Sequence, residues 1–149
     1  MGRRIAGVIA TTAGIGYLPF APGTWAAALS ALLWYEFYPS VTWQALLTIL
    51  LITAGVYSSS IMVREGEKDP GYIVIDEFAG MWLSLLFIPT SIINVIVSFV
   101  LFRFFDIVKP LGIRKMERLK KGWGIMMDDI LAGIYSNIVL QVIVYFKVW

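Results

Sequence analysis

The stretch 41–63 contains no charged side chain, and it constrains this chain more than any other feature. At about 1.5 Å per residue, a helix over it reaches across the roughly 30 Å hydrocarbon core of a bilayer. Four other apolar runs surround it, at 24–38, 73–88, 92–108 and 129–146. Of these, 92–108 and 129–146 are only just long enough to cross. The run 24–38 is too short to cross comfortably, so it is expected to tilt, to extend upstream, or to pair with the weakly apolar 5–18 as a re-entrant element. The chain is 59% hydrophobic, above the roughly 45–50% apolar share of soluble domains. The expected fold is all-α, a polytopic membrane bundle of four to five apolar helices, with no repeat or linker to divide the single domain over 1–149.

The chemistry open to such a chain is narrowed by what it lacks. Without Cys it has no disulfide and no thiolate nucleophile or ligand, and without His it has no imidazole ligand, phosphohistidine or Ser-His-Asp triad. A net charge of +2, with no basic tail, gives no footprint for nucleic acid. Arg3 and Arg4 ahead of a short apolar stretch resemble a signal peptide, but no convincing cleavage site follows, and the segment is expected to belong to the mature protein.

The breaks between runs carry the topology. "YPSV" at 38–41 and "IPTS" at 88–91 are uncharged turns, whereas 64–72 mixes signs. The segment 109–121 sets Lys109, Arg114, Lys115, Arg118, Lys120 and Lys121 against Glu117 alone. The excess of Lys and Arg assigns this loop to the cytoplasm, and with it 64–72 and the N-terminus. Asp76-Glu77, Asp106 and Asp128-Asp129 then gather at the cytoplasmic face, at helix ends.

Each acidic group has an ordinary and a functional explanation. Asp76-Glu77 could be an acidic pair favoured by the helix dipole, but Ile73, Val74 and Ile75 precede it, so it lies inside an apolar stretch, where ionisable groups are functional by default. Arg103, Asp106 and Lys109 recur every three residues on one side of a helix that must end before Pro110. They fit an intrahelical ion pair equally with a carboxylate on a cation flanked by two anion-binding residues. Of Asp128 and Asp129, one is expected to cap the last helix and the other to bind metal. In "GIGYLPFAPGTW", Thr24 is expected as the N-cap of the first long helix, behind a Gly-rich turn. Gly80 with Ser84 and Ala132 with Ser136 are spaced for close helix packing, and the Trp and Tyr residues serve as interface anchors and packing. Carboxylates without His or Cys favour Mg²⁺, Mn²⁺ or Ca²⁺.

"PFAPGTWAAALS", "VIDEFAGMW", "FRFFDIVKP" and "GWGIMMDDILAG" occur in this order over roughly 14–135. Individually weak, the ordered set resembles the phosphatidylglycerophosphatase A family. The resemblance implies a Mg²⁺-dependent phosphatase of the bacterial inner membrane, multi-pass and facing the cytoplasm, that removes the terminal phosphate of phosphatidylglycerophosphate. It implicates Asp76, Glu77, Asp106, Asp128 and Asp129 as catalytic and metal-binding, and Gly23, Thr24, Arg103 and Lys109 as phosphate-binding. Association into a homo-oligomer stays open. The competing class is a small cation transporter or channel subunit, which would continue its acids across the bilayer. The outer half of every run is read as lacking them.

Overall fold

The computed structural model describes residues 2–64, 67 and 70–146. Glu65, Gly66, Lys68 and Asp69, which belong to the charged connection expected at 64–72, lie outside the described residues. Among the described residues there are seven α-helices and no strand. They are α1 (Gly2–Ala10), α2 (Pro22–Phe37), α3 (Val41–Met62), α4 (Ile75–Ser84), α5 (Ile92–Val108), α6 (Ile113–Met116) and α7 (Gly122–Tyr145).

The boundaries follow local chemistry. Pro22 at the first helical position starts α2 two residues ahead of Thr24, so Thr24 lies in the first turn and Ala21 occupies the expected cap position. Ser91 caps α5 through a hydrogen bond to its side chain from Asn94 N at 3.1 Å, and Lys109 ends it in the left-handed region at φ 49°, ahead of Pro110. α4 stops at Ser84, short of the expected 88, because the chain turns through Leu85–Phe87. The Asn137 amide donates to Ser84 O at 3.0 Å and Leu86 O at 2.9 Å, satisfying carbonyls left open where the ladder ends. α7 begins seven residues upstream of 129, where Ser60 accepts from Gly122 N at 3.2 Å and ties its first turn to α3. Asp128 and Asp129 are therefore well inside α7, and neither caps it.

Among the described residues, two helices are long and apolar enough to cross a membrane, α3 with 22 residues and α7 with 24. At 17 residues α5 spans only about 25 Å, and α1, at nine residues, packs with Gly7 against Met62 of α3. The burial of α3 inverts that of a soluble helix. Its buried residues are Gln44, Thr48, Gly55, Ser58 and Ser59, whereas Ile49 and Leu50 are 61% and 59% exposed. Several hydroxyls inside the bundle are satisfied within their own helix or by a neighbouring one, as in Ser136 to Ala132 O at 2.7 Å and the Ser84–Ser98 pair between α4 and α5 at 2.7 Å.

α4 is the innermost element; of its ten residues only Glu77 and Leu83 are not buried. It crosses α7 backbone to backbone. A Cβ on Gly80 would come 2.6 Å from Asp129 O, and one on Gly133 would collide with Gly80 O. The expected small-residue packing thus holds at Gly80, with Gly133 as its partner. Of the tryptophans, Trp34 and Trp82 pack edge to face in the core at 4.9 Å, and Trp25, Trp43 and Trp123 are exposed.

The bundle has two unlike ends. Gln44, almost wholly buried, donates to Pro39 O at 2.8 Å and accepts from Phe87 N at 3.0 Å, so the uncharged turns after α2 and α4 share one end. The other end collects the start of α4, the end of α5, α6 and the start of α7. Glu36, exposed near the end of α2, corrects the expectation that the outer half of every run is free of acids. It lies at the rim of the uncharged end rather than along the interior, so it extends no acidic path through the bundle.

Candidate active site

The charged end brings the nine residues singled out in the sequence onto neighbouring elements. Asp76 and Glu77 occupy the first turn of α4. Arg103 and Asp106 come from the last turns of α5, and Lys109 follows its end. Asp128 and Asp129 come from α7, about two turns inside its start, and Gly23 and Thr24 from the first turn of α2. Asp76, Asp128 and Asp129 are 5%, 5% and 3% exposed.

One oxygen each from Asp76, Glu77 and Asp129 lies within 4.8 Å of the others. Asp106, Glu77 and Asp128 also lie within electrostatic reach of Asp129. Arg103 Nη1 forms an ion pair with Asp106 Oδ2 within α5. Lys109 Nζ donates to Asp128 Oδ2 at 2.6 Å and to Glu117 Oε1 at 2.8 Å. Burial works against the Lys109 charge, but its hydrogen bonds to Asp128 and Glu117 prevail and hold it well above the usual lysine range. Both explanations of the Arg103, Asp106, Lys109 spacing are thus present at once: an intrahelical pair exists, and it stands at the edge of the acidic cluster.

The start of α2 closes the site from the remaining side. A Cβ on Gly23 would collide with Glu77 Oε1 and come 2.6 Å from Glu77 Cδ, so only glycine lets the helix start lie directly against that carboxylate. Glu77 Oε2 is buried without a hydrogen-bond partner. Arg103 and Lys109 offset two of the five carboxylates, and the remaining negative charge is confined in a largely buried space. A hard divalent cation fits this donor set: the oxygens of Asp76, Glu77 and Asp129 are close enough together to share one, and it would meet the exposed need of Glu77 Oε2.

Two participants escaped the sequence. Glu117 stood alone in a basic loop, and nothing in its spacing signals that it reaches Lys109. Gly133 lies one residue from the small-residue pair at Ala132 and Ser136, but only the crossing with α4 reveals its role.

Residues 8–144 match the family description Phosphatidylglycerophosphatase A. The chain belongs to that family. It is accordingly a phosphoric monoester hydrolase. A curated relative from Escherichia coli, named phosphatidylglycerophosphatase A, is 39% identical over 143 residues, covering 91% of this chain and 81% of its own length. One of the same name from Haemophilus influenzae is 38% identical, covering 93% and 88%. A relative from Bacteroides thetaiotaomicron is 43% identical over 144 residues, covering 91% of each chain, and carries the name "Putative phosphatidylinositol-3-phosphatase". No solved structure matches the chain.

Proposed function

We propose that the chain is a Mg²⁺-dependent, multi-pass enzyme of the bacterial inner membrane that hydrolyses the terminal phosphate monoester of phosphatidylglycerophosphate at the cytoplasmic face, leaving phosphatidylglycerol. The observation that carries this reading is the convergence of Asp76, Glu77 and Asp129 oxygens within 4.8 Å, flanked by Arg103 and Lys109. Support for the substrate comes from the family and from the relatives of that name. Support for the membrane comes from the apolar exterior and polar interior of α3, and for the orientation from the basic 109–121 segment beside the site.

In this mechanism Asp76, Glu77 and Asp129 hold the cation. When bound, a divalent ion there supplies Lewis acidity, offsetting phosphate charge and easing the deprotonation of water. Arg103 and Lys109 bind the non-bridging phosphate oxygens as charge spreads over them in a loose transition state. Asp106, held by Arg103, takes the proton of the attacking water as its oxygen bonds to phosphorus and the ester P–O bond breaks. The released alkoxide takes that proton from Asp106, which returns to a carboxylate, and inorganic phosphate leaves. The first turn of α2, brought close by Gly23, offers backbone amides to the phosphate.

A second substrate shares this chemistry, the 3-phosphate monoester of phosphatidylinositol, and the name of the Bacteroides relative favours testing it. The experiment is phosphate release by purified protein in detergent from both lipids, with Mg²⁺ or EDTA, beside Glu77→Gln. Metal-dependent release from phosphatidylglycerophosphate, lost in a folded Glu77→Gln protein, is expected. Release from the inositol lipid alone would replace the substrate, and release unaffected by EDTA would remove the metal from the mechanism.

A further inference from the structure

A cavity lies beside the carboxylate site, on the far side of Lys109. It measures about 1040 Å³ and is bounded by the end of α3 and by residues of the 114–121 segment, a size suited to a small organic ligand. Among the described residues, Arg64, Arg114, Arg118, Lys120 and Lys121 line it, against Glu67 and Glu117. Glu117 is drawn toward Lys109, at 2.8 Å, and Glu67 Oε2 accepts from Arg64 N at 3.2 Å. Among the described residues, Arg114, Arg118, Lys120 and Lys121 enter no ion pair.

These cations are not on a loose loop. Ile113 is fully buried, Tyr135 donates to Leu111 O at 3.1 Å, and Ser60 at the cavity wall holds Gly122 N. The basic segment is therefore anchored before and after the charged residues, and its cations face a fixed cleft.

We infer that this cleft binds the phosphodiester headgroup of an anionic phospholipid other than the molecule being hydrolysed. The inference rests on the reading of the chain as a membrane phosphatase, which puts the cleft at the level of lipid headgroups. Basic pockets beside membrane helices recognise such groups by charge. Lys109 divides the two sites, bonding Glu117 on the cleft side and Asp128 on the carboxylate side. The cleft thus has its own cations and does not draw on those of the catalytic cluster.

The test is calorimetric titration of the full-length protein in neutral detergent with six-carbon phosphatidylglycerol, six-carbon phosphatidylcholine and inorganic phosphate. Wild type is compared with Arg114→Gln/Arg118→Gln and with Glu77→Gln. Saturable binding of phosphatidylglycerol to wild type and Glu77→Gln, none of phosphatidylcholine, and about thirtyfold weaker binding to the double variant are expected, at roughly fivefold per charge removed. Binding unchanged in the double variant would overturn the inference. So would inorganic phosphate filling the site as well as the lipid does, because the cleft would then hold a free ion. Phosphate release in neutral vesicles separates the remaining source: a raised KM for phosphatidylglycerophosphate in the double variant, with no phosphatidylglycerol present, would mean that the cleft takes the substrate's own diester. The titration needs no turnover, so failure of the phosphatase reading would appear in the release assay alone.

Discussion

Replacing Gly23 with alanine adds one methyl group at the point where α2 meets the Glu77 carboxylate. The new Cβ would stand 2.6 Å from Glu77 Cδ and 3.1 Å from Cγ, where ordinary contact begins near 3.4 Å. Glu77 Oε1 would be closer still, so the carboxylate must retreat by more than about 1 Å, and it can, because it ends a flexible side chain. Folding should survive: alanine in a helix gains up to about 1 kcal/mol over glycine, against an overpacking cost of about 1–3 kcal/mol. Catalysis should not, since a displacement near 1 Å at a reacting centre costs on the order of 10²-fold, about 2.7 kcal/mol of barrier. The assay is phosphate release at saturating substrate, with thermal unfolding in detergent as the check on folding. Gly71→Ala is the control, as nothing lies within 4 Å of its new Cβ. A folded Gly23→Ala protein with wild-type kcat would refute the argument that this glycine sets the position of Glu77.

Three further outcomes follow from the same geometry. Asp129→Asn should lower phosphate release by about 10³-fold, yet raise the unfolding temperature in EDTA, because it relieves repulsion among buried carboxylates; a lower unfolding temperature would contradict the crowding described. Lys109→Met should destabilise the protein by about 3 kcal/mol by stripping Asp128 of its ammonium partner, and adding Asp128→Asn should recover most of that loss in thermal unfolding. Asn137→Ala should cost about 1–3 kcal/mol, because two carbonyls at the end of α4 lose their donor, while phosphate release per folded molecule stays near wild type.

Much of the site was legible because its chemistry is local. Acids inside apolar runs are conspicuous, and the i, i+3 spacing of Arg103 and Asp106 puts them on one side of α5, whereas Lys109 follows the helix end in the left-handed region and reaches Asp128 instead. Helix ends were less legible. Thr24 looked like a cap because it precedes an apolar run, but Pro22 starts the helix earlier. Asp128 and Asp129 looked like a helix start because charge usually lies outside the apolar phase, but Lys109 and the acidic cluster receive them inside α7. Glu36 was overlooked in a run whose outer half was read as lacking acids.

The sequence by itself determined that the chain is helical and apolar, that its chemistry rests on carboxylates with Arg and Lys, and that its charges gather in a few connecting segments. These follow from composition and period, which every residue reports without reference to its neighbours in space. Only the tertiary structure decided that Asp76, Glu77 and Asp129 come together, that Lys109 is held by Asp128, and that Gly23 abuts Glu77. Each of these depends on how α2, α4, α5 and α7 cross. That is set by backbone contact at Gly80 and Gly133 and by bonds such as Gln44 to Phe87, between residues far apart in the chain.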